Sequence, residues 1–215
     1  FFYCPGNHDI EYGPTRSIYT ALHGTGGRTY YSFDYRGCHF VVLDSTAIVN
    51  DLRKVADAQW AWLAKDLARA RGARHVFIFY HHPLFGQSAW TRMLKLLDPR
   101  KTTVFTGHRH RLSFDTEGGV PYYVLGPTAV KAPPLLREEG RFQMFAHVTV
   151  SAGRPTVALI PLGQVLPHNF ISRAVSKRLR QVAKAIILST VTRAGGRATL
   201  ELRNATDAKV VYTLT

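Results

Sequence analysis

Apolar residues in this chain gather in short runs separated by polar, glycine-rich or proline-rich stretches. Runs rich in β-branched and aromatic residues, and too short for helices, predict buried strands. They fall at Phe1–Cys4, His39–Asp44, Arg74–Tyr80 and Thr102–Thr106. Tyr30–Tyr35 joins His39–Asp44 across Arg36-Gly37 as a hairpin. Leu112–Asp115, Tyr122–Leu125, Phe142–Val150 and Thr156–Pro161 continue the strand pattern, with turns at Gly24–Gly27, Glu117–Gly119 and Ala152-Gly153. Helical spacing marks two stretches between these strands. Trp60, Leu63 and Leu67 share one face of a helix capped by Asp57 and stopped by Gly72; Met93, Leu94 and Leu97 line a shorter helix, Trp90–Leu97. Lys131–Gly140, rich in proline and charge, shows no period and is expected to be loop.

Beyond Leu162 the pattern changes. Phe170, Ile171, Ala174, Val175, Leu179, Val182, Ala183 and Ile186 fit one face of a helix, and Arg173, Lys177, Arg178, Arg180 and Lys184 fit the other. A basic face of this kind is a solvated surface or a contact for nucleic acid or an anionic membrane. Ala198–Arg203 and Lys209–Leu214 then alternate around Asn204–Asp207 as a further hairpin. Three regions are expected on this basis: 1–162 as the main domain, 163–190 as a basic helix or linker, and 191–215 as the start of a β-sandwich-like domain.

Three polar clusters stand where predicted strands end. Phe1–Cys4 leads into Gly6-Asn7-His8-Asp9, Val76–Tyr80 into His81-His82-Pro83, and Thr103–Thr106 into Gly107-His108-Arg109-His110. In open α/β sheets, ligands collect beyond the carboxyl ends of the strands. Each cluster alone also suits an ordinary turn or a surface histidine. His108 and His110, two apart in an expected extended segment, would point the same way. Imidazole nitrogen suits transition metals, and an amide oxygen suits harder ions. Two cations a few ångströms apart can clamp the attacking and leaving oxygens of a phosphoryl group. Such a pair needs carboxylates to offset its charge, and none of the three clusters obviously supplies them.

Composition narrows the class. The chain has 215 residues, 46% of them hydrophobic, which is enough for one sizeable core. It contains no apolar run near the ~20 residues of a membrane helix. Lys and Arg number 28 against 14 Asp and Glu, a formal net charge of +14, which favours acidic partners such as phosphate esters. Two cysteines, Cys4 and Cys38, are too few for a disulfide scaffold or a zinc ribbon.

Gly-Asn-His-Asp at 6–9, His-His-Pro at 81–83 and Gly-His-Arg-His at 107–110 resemble the motifs of the calcineurin-like metallophosphoesterases, the superfamily of purple acid phosphatases and cyclic-nucleotide phosphodiesterases. Tyr31–Asp34, Val42–Ser45 and Gln59–Leu63 support the resemblance, which covers roughly residues 1 to 160. It implies an α/β fold with a two-sheet β-sandwich flanked by helices, here missing its first strands. It also implies a phosphatase or phosphodiesterase that uses two metal ions (Mn, Fe or Zn) on a phosphoester substrate. A metal-bound hydroxide would attack phosphorus. Asn7, His81 and His108 would bind the second metal and His110 the first. His8 would protonate the leaving oxygen, with Asp9 orienting and charging it, and His82 is assigned no ligand role. The family's Asp-x-His and Gly-Asp motifs, which supply the remaining first-metal and bridging ligands, do not precede Asn7; the family gives Asp34 and Asp44 no such role. The chain is therefore expected to be N-terminally truncated and inactive alone. The alternative is a non-catalytic metal- or phosphate-binding protein of the same fold.

Overall fold

A computed structural model describes residues 1–12, 14–23, 26–128, 140–161, 166–168, 171–178, 190–194 and 197–201. A six-stranded mixed sheet forms its centre: β1 (Tyr31–Tyr35), β2 (Cys38–Val42), β3 (His75–Phe79), β4 (Thr102–Thr106), β5 (Ser113–Glu117) and β6 (Val120–Val124). The strand order is β1-β2-β3-β4-β6-β5. β2, β3, β4 and β6 run parallel, and β1 and β5 pair antiparallel at the two edges. Parallel strands are covered on both faces; every residue of β4 is buried, its three threonines included.

The period of two along each strand divides the core. Val41, Val76, Ile78, Val104 and Tyr122 face one side. There they meet Trp60 and Leu63 of a long helix and Trp90 and Met93 of a short one. Cys38, Phe77, Phe105 and Tyr123 face the other side and pack on Phe142, Met144, Val157 and Leu159. Met144, Val157 and Leu159 belong to the second sheet, formed by β7 (Met144–Ser151), β8 (Arg154–Pro161) and β9 (Leu166–Pro167). Helices, a large sheet and a small sheet thus stack in layers, the mixed α/β arrangement expected from the sequence. Of the described helices, none is long and apolar enough to cross a membrane.

The helices are α1 (Asn7–Ile10), α2 (Thr15–His23), α3 (Ser45–Val49), α4 (Arg53–Arg69) and α5 (Ser88–Leu94). Several differ from the sequence pattern. Phe1–Cys4 is not in a sheet: no described strand pairs with it, and Phe1, Phe2 and Tyr3 are exposed. Backbone without a ladder partner is not a strand, whatever its side chains prefer. Asn7-His8-Asp9 forms the short helix α1 rather than a loop. α2 and α3 carry too short an apolar face to stand out. α3 is capped by Asp44, whose carboxylate accepts from Ala47 N–H at 2.8 Å. α4 begins at Arg53 and not at Asp57, which lies exposed within it.

Residues 173–178 are helical, but Ala174 and Val175, expected to face inward, are exposed, and Ser176 is buried instead. This turn is tied to the sheet edge by Phe114 N–H donating to Ile171 C=O at 2.7 Å. Its orientation is therefore set by docking on β5 rather than by its own periodicity. Ala198–Glu201 is strand as expected, within β11 (Arg197–Glu201), and its partner is β10 (Thr190–Ala194). Phe170, Leu179, Val182, Ala183 and Ile186, the arm Lys209–Leu214, residues 131–139 and the expected boundary at 162–163 lie outside the described residues.

Candidate metal centre

The carboxyl ends of three neighbouring parallel strands build the site. β2 runs out into Leu43-Asp44-Ser45, β3 into Tyr80-His81-His82 and β4 into Gly107-His108. Because β2, β3 and β4 are adjacent and parallel, these three segments open at one edge of the sheet.

His81, His82 and His108 come together there, each offering a ring nitrogen within 4.8 Å of the others. His108 Nδ1 and His81 Nε2 face each other at 3.1 Å. Ligand nitrogens around a tetrahedral ion with bonds of about 2.1 Å stand roughly 3.4 Å apart, so this pair is already at coordinating separation. Burial lowers the pKa of His81 to about 4, helped by the nearby His82 and His108 and opposed by Asp9. Burial and His108 likewise lower that of His82 to about 4. His108 is lowered by burial and then by Arg109 and His110. All three rings are neutral at neutral pH, the state a metal ligand needs.

The two histidine loops are locked together. Gly107 N–H donates to the His81 carbonyl at 3.0 Å, and His108 and His110 both adopt left-handed backbone, φ 63° and 51°. Such conformations cost energy in residues other than glycine and gather at functional sites. They also overturn the reasoning that placed His108 and His110 on one side of an extended segment. Two left-handed residues turn the chain, and His110 is exposed, outside the three-histidine group.

Ser45 was not singled out by its chemistry in the sequence, yet it anchors the centre. Its fully buried Oγ accepts from His81 N–H at 3.1 Å and His82 N–H at 2.8 Å, and it faces His82 Nδ1 at 3.1 Å. A hydroxyl that accepts twice still has its proton to give. Nδ1 of His82 takes it, which leaves the His82 proton on Nε2. That tautomer makes His82 a hydrogen-bond donor at Nε2 rather than a ligand, whereas His81 Nε2 and His108 Nδ1 share one proton between them until a metal ion displaces it. No side-chain signal in the sequence distinguishes this serine from an ordinary helix start.

Asn7 completes the candidate set. Its Oδ1 is buried with no hydrogen-bond partner, while Nδ2 donates to Glu11 at 3.3 Å. The start of α1 lies against His81: a Cβ added at Gly6 would stand 3.2 Å from the His81 ring. An orphaned hard oxygen on a helix whose start borders His81 suits a divalent cation by its chemistry. No carboxylate joins the group among the described residues.

His8 and Asp9 are both exposed on α1. The Asp9 carboxylate accepts from Gly6 N–H at 2.8 Å, closing the first turn. Successive helix residues do not face one another, so Asp9 caps the helix that carries His8 rather than holding its ring. Asp44 is fully buried and engaged by Arg16, by Thr29 Oγ1 at 2.6 Å and by Ala47 N–H. Asp34 pairs with His39 at 2.7 Å. Asp44 is thus fully engaged, and neither aspartate belongs to the three-histidine group.

No protein-family model matches the chain. It is similar to the serine/threonine-protein phosphatase CPPED1 of Pongo abelii, with 34% identity over 125 residues, covering 49% of this chain and 40% of that protein. The proteins of the same name from Homo sapiens and Mus musculus are each 33% identical, over 125 and 124 residues, with the same coverage. The match thus spans less than half the length of these curated relatives. Among solved structures, GAP50, the anchor in the inner membrane complex of Plasmodium, has a TM-score of 0.49 and 12% identity, covering 70% of this chain and 59% of that one. The chain is similar, over about half of its length, to phosphatases of the calcineurin-like phosphoesterase family.

Proposed function

We propose that this centre hydrolyses phosphoesters with the help of bound metal ions. One observation carries the reading. Two neutral imidazoles face each other at the carboxyl ends of adjacent strands, and the start of α1, which lies against His81, carries a buried amide oxygen without a hydrogen-bond partner. Similarity to proteins named as serine/threonine phosphatases supports a phosphoester bond, and with it a phosphoprotein as substrate.

Asn7, His81 and His108 would hold one ion and His110 a second, drawn from Mn, Fe or Zn. When bound, such ions offset charge on phosphoryl oxygens and make water nucleophilic at neutral pH. The chain's own residues do the rest. Ser45 fixes the loop that carries His81 and sets the His82 tautomer. Nε2–H of His82 then points a donor at an oxyanion. His8, exposed on α1, would give a proton to the leaving oxygen.

The primary test is metal retention. Purified protein is expected to keep a divalent ion through gel filtration, and His81→Ala and His108→Ala to lose it; equal metal content in all three would end this reading. A second reading, a non-catalytic metal- or phosphate-binding protein, is favoured by the lack of a carboxylate in the described group. Hydrolysis of an aryl phosphate separates the two. Metal-dependent turnover lost in His108→Ala supports the hydrolase, and retained metal with phosphate binding but no turnover supports the binder.

A further inference from the structure

The two histidine loops do not end at the metal centre. Pro83, directly after His82, and Arg109, directly after His108, both line a neighbouring cavity. Arg111 and Arg173 line it too, so three guanidinium-bearing residues meet a single carboxylate-bearing one, Asp115, around one hollow. Its volume is about 40 Å³. At roughly 10–15 Å³ per water, it holds about three waters, room for one phosphate- or carboxylate-sized group and not for a base or a sugar.

Arg173 comes from the turn docked on β5, far along the chain from the histidine loops. Its guanidinium carbon lies 4.0 Å over the Phe85 ring, a contact that holds the group in place while leaving its N–H edge open. Among the described residues neither Arg109 nor Arg173 has an acidic oxygen within ion-pair distance. Guanidinium groups kept without carboxylate partners, beside a recess of this size, match an oxyanion that arrives with a ligand.

We infer that this recess is a subsite for a second anionic group on the substrate, an acidic side chain or a second phosphate next to the phosphoester in a peptide. The inference rests on the proposed hydrolase reading, because it takes the histidine centre as the place of the first phosphate. It turns the general preference of a basic chain for anions into a local sequence preference. Arg173 is here a specificity-determining residue, not a catalytic one.

The test compares two phosphoserine peptides that differ only in Asp or Asn beside the phosphoserine. Binding to the metal-loaded protein is read by calorimetry. Wild type is expected to bind the Asp peptide about tenfold more tightly, the factor expected of one charge-assisted contact. Arg173→Ala and, independently, Arg109→Ala are expected to bring that ratio towards one. A thermal melt checks that each variant is folded, and Arg173→Lys should retain part of the preference. A doubly phosphorylated peptide tests the second phosphate as the source of the anion. His108→Ala should weaken both peptides and leave the ratio intact. A wild-type ratio near one, a ratio that survives both arginine variants, or no peptide binding by wild type overturns the subsite. If His108→Ala leaves both affinities unchanged while the arginine variants still abolish the ratio, the hydrolase reading fails and the anion site stands.

Discussion

Replacing Ser45 by alanine is a sharp test of how the centre is held. The residue is fully buried, and its Oγ is the acceptor for two backbone donors, His81 N–H at 3.1 Å and His82 N–H at 2.8 Å. Removing it leaves both donors without that partner. An unsatisfied buried donor costs about 1–3 kcal/mol. Both histidines are partly buried, so some water can approach them, and the lower half of that range applies: about 2–4 kcal/mol for the pair. In a chain of this size that lowers the unfolding midpoint by roughly 4–16 °C. The His82 ring also loses the proton donor at Nδ1, 3.1 Å away, and its tautomer is no longer set. Groups that orient metal ligands typically contribute about 10–100-fold in affinity. Ser45→Ala is therefore expected to weaken metal binding by that factor, even at a temperature where the protein stays folded. The assays are urea unfolding with and without metal, and a competition titration against a chelating dye. A variant within about 0.5 kcal/mol of wild type, with metal affinity unchanged within error, would falsify the anchoring role.

Two further outcomes follow from the geometry. Gly6→Ala would place a methyl group 3.2 Å from the His81 ring and 3.3 Å from Asp9 Oδ2; metal affinity should fall, as measured by the same titration, while stability without metal changes little, and unchanged affinity would show that α1 does not border the centre. The buried His39 sits between Asp66 at 2.9 Å and Asp34 at 2.7 Å. Burial opposes its protonation, but its hydrogen bonds to Asp66 and Asp34 prevail and raise its pKa; burial pushes Asp66 up, yet hydrogen bonds from His39, Arg69 and Ser32 hold it below the carboxylate norm. The raised His39 stabilises fully below its unfolded value of 6.5, and this is lost as pH rises through the folded value. The lowered Asp66 stabilises fully above 3.8, and this is lost as pH falls through its folded value. The stability difference between wild type and His39→Gln should thus be greatest between pH 3.8 and 6.5; a difference that grows above pH 8 instead would refute the assignment.

Much of the frame was legible from side-chain pattern alone. The runs that became β3 and β4 are rich in β-branched and aromatic residues because parallel central strands are covered on both faces, and even the three threonines of β4 are buried. The histidine motifs at 81–82 and 108 were placed at strand ends by the same reasoning, and the structure brings those rings together. Other features depend on partners distant in sequence. Whether Phe1–Cys4 is a strand depends on a neighbour to complete its ladder, and its composition carries no record of one. The backbone turn at His108 and His110 is a matter of φ, to which a two-residue spacing is blind. Ser45 became an anchor only because β2 lies beside β3 in parallel, setting a helix-start hydroxyl beneath the N–H groups of His81 and His82. Arg173 reached the cavity by the docking of its turn on β5 and not by the period of its own helix. Local composition thus determined which stretches form the buried central strands and which segments carry the histidines at their ends. Strand order, register and backbone handedness decided which donors share a pocket, because those are properties of pairs of segments and no single segment encodes them.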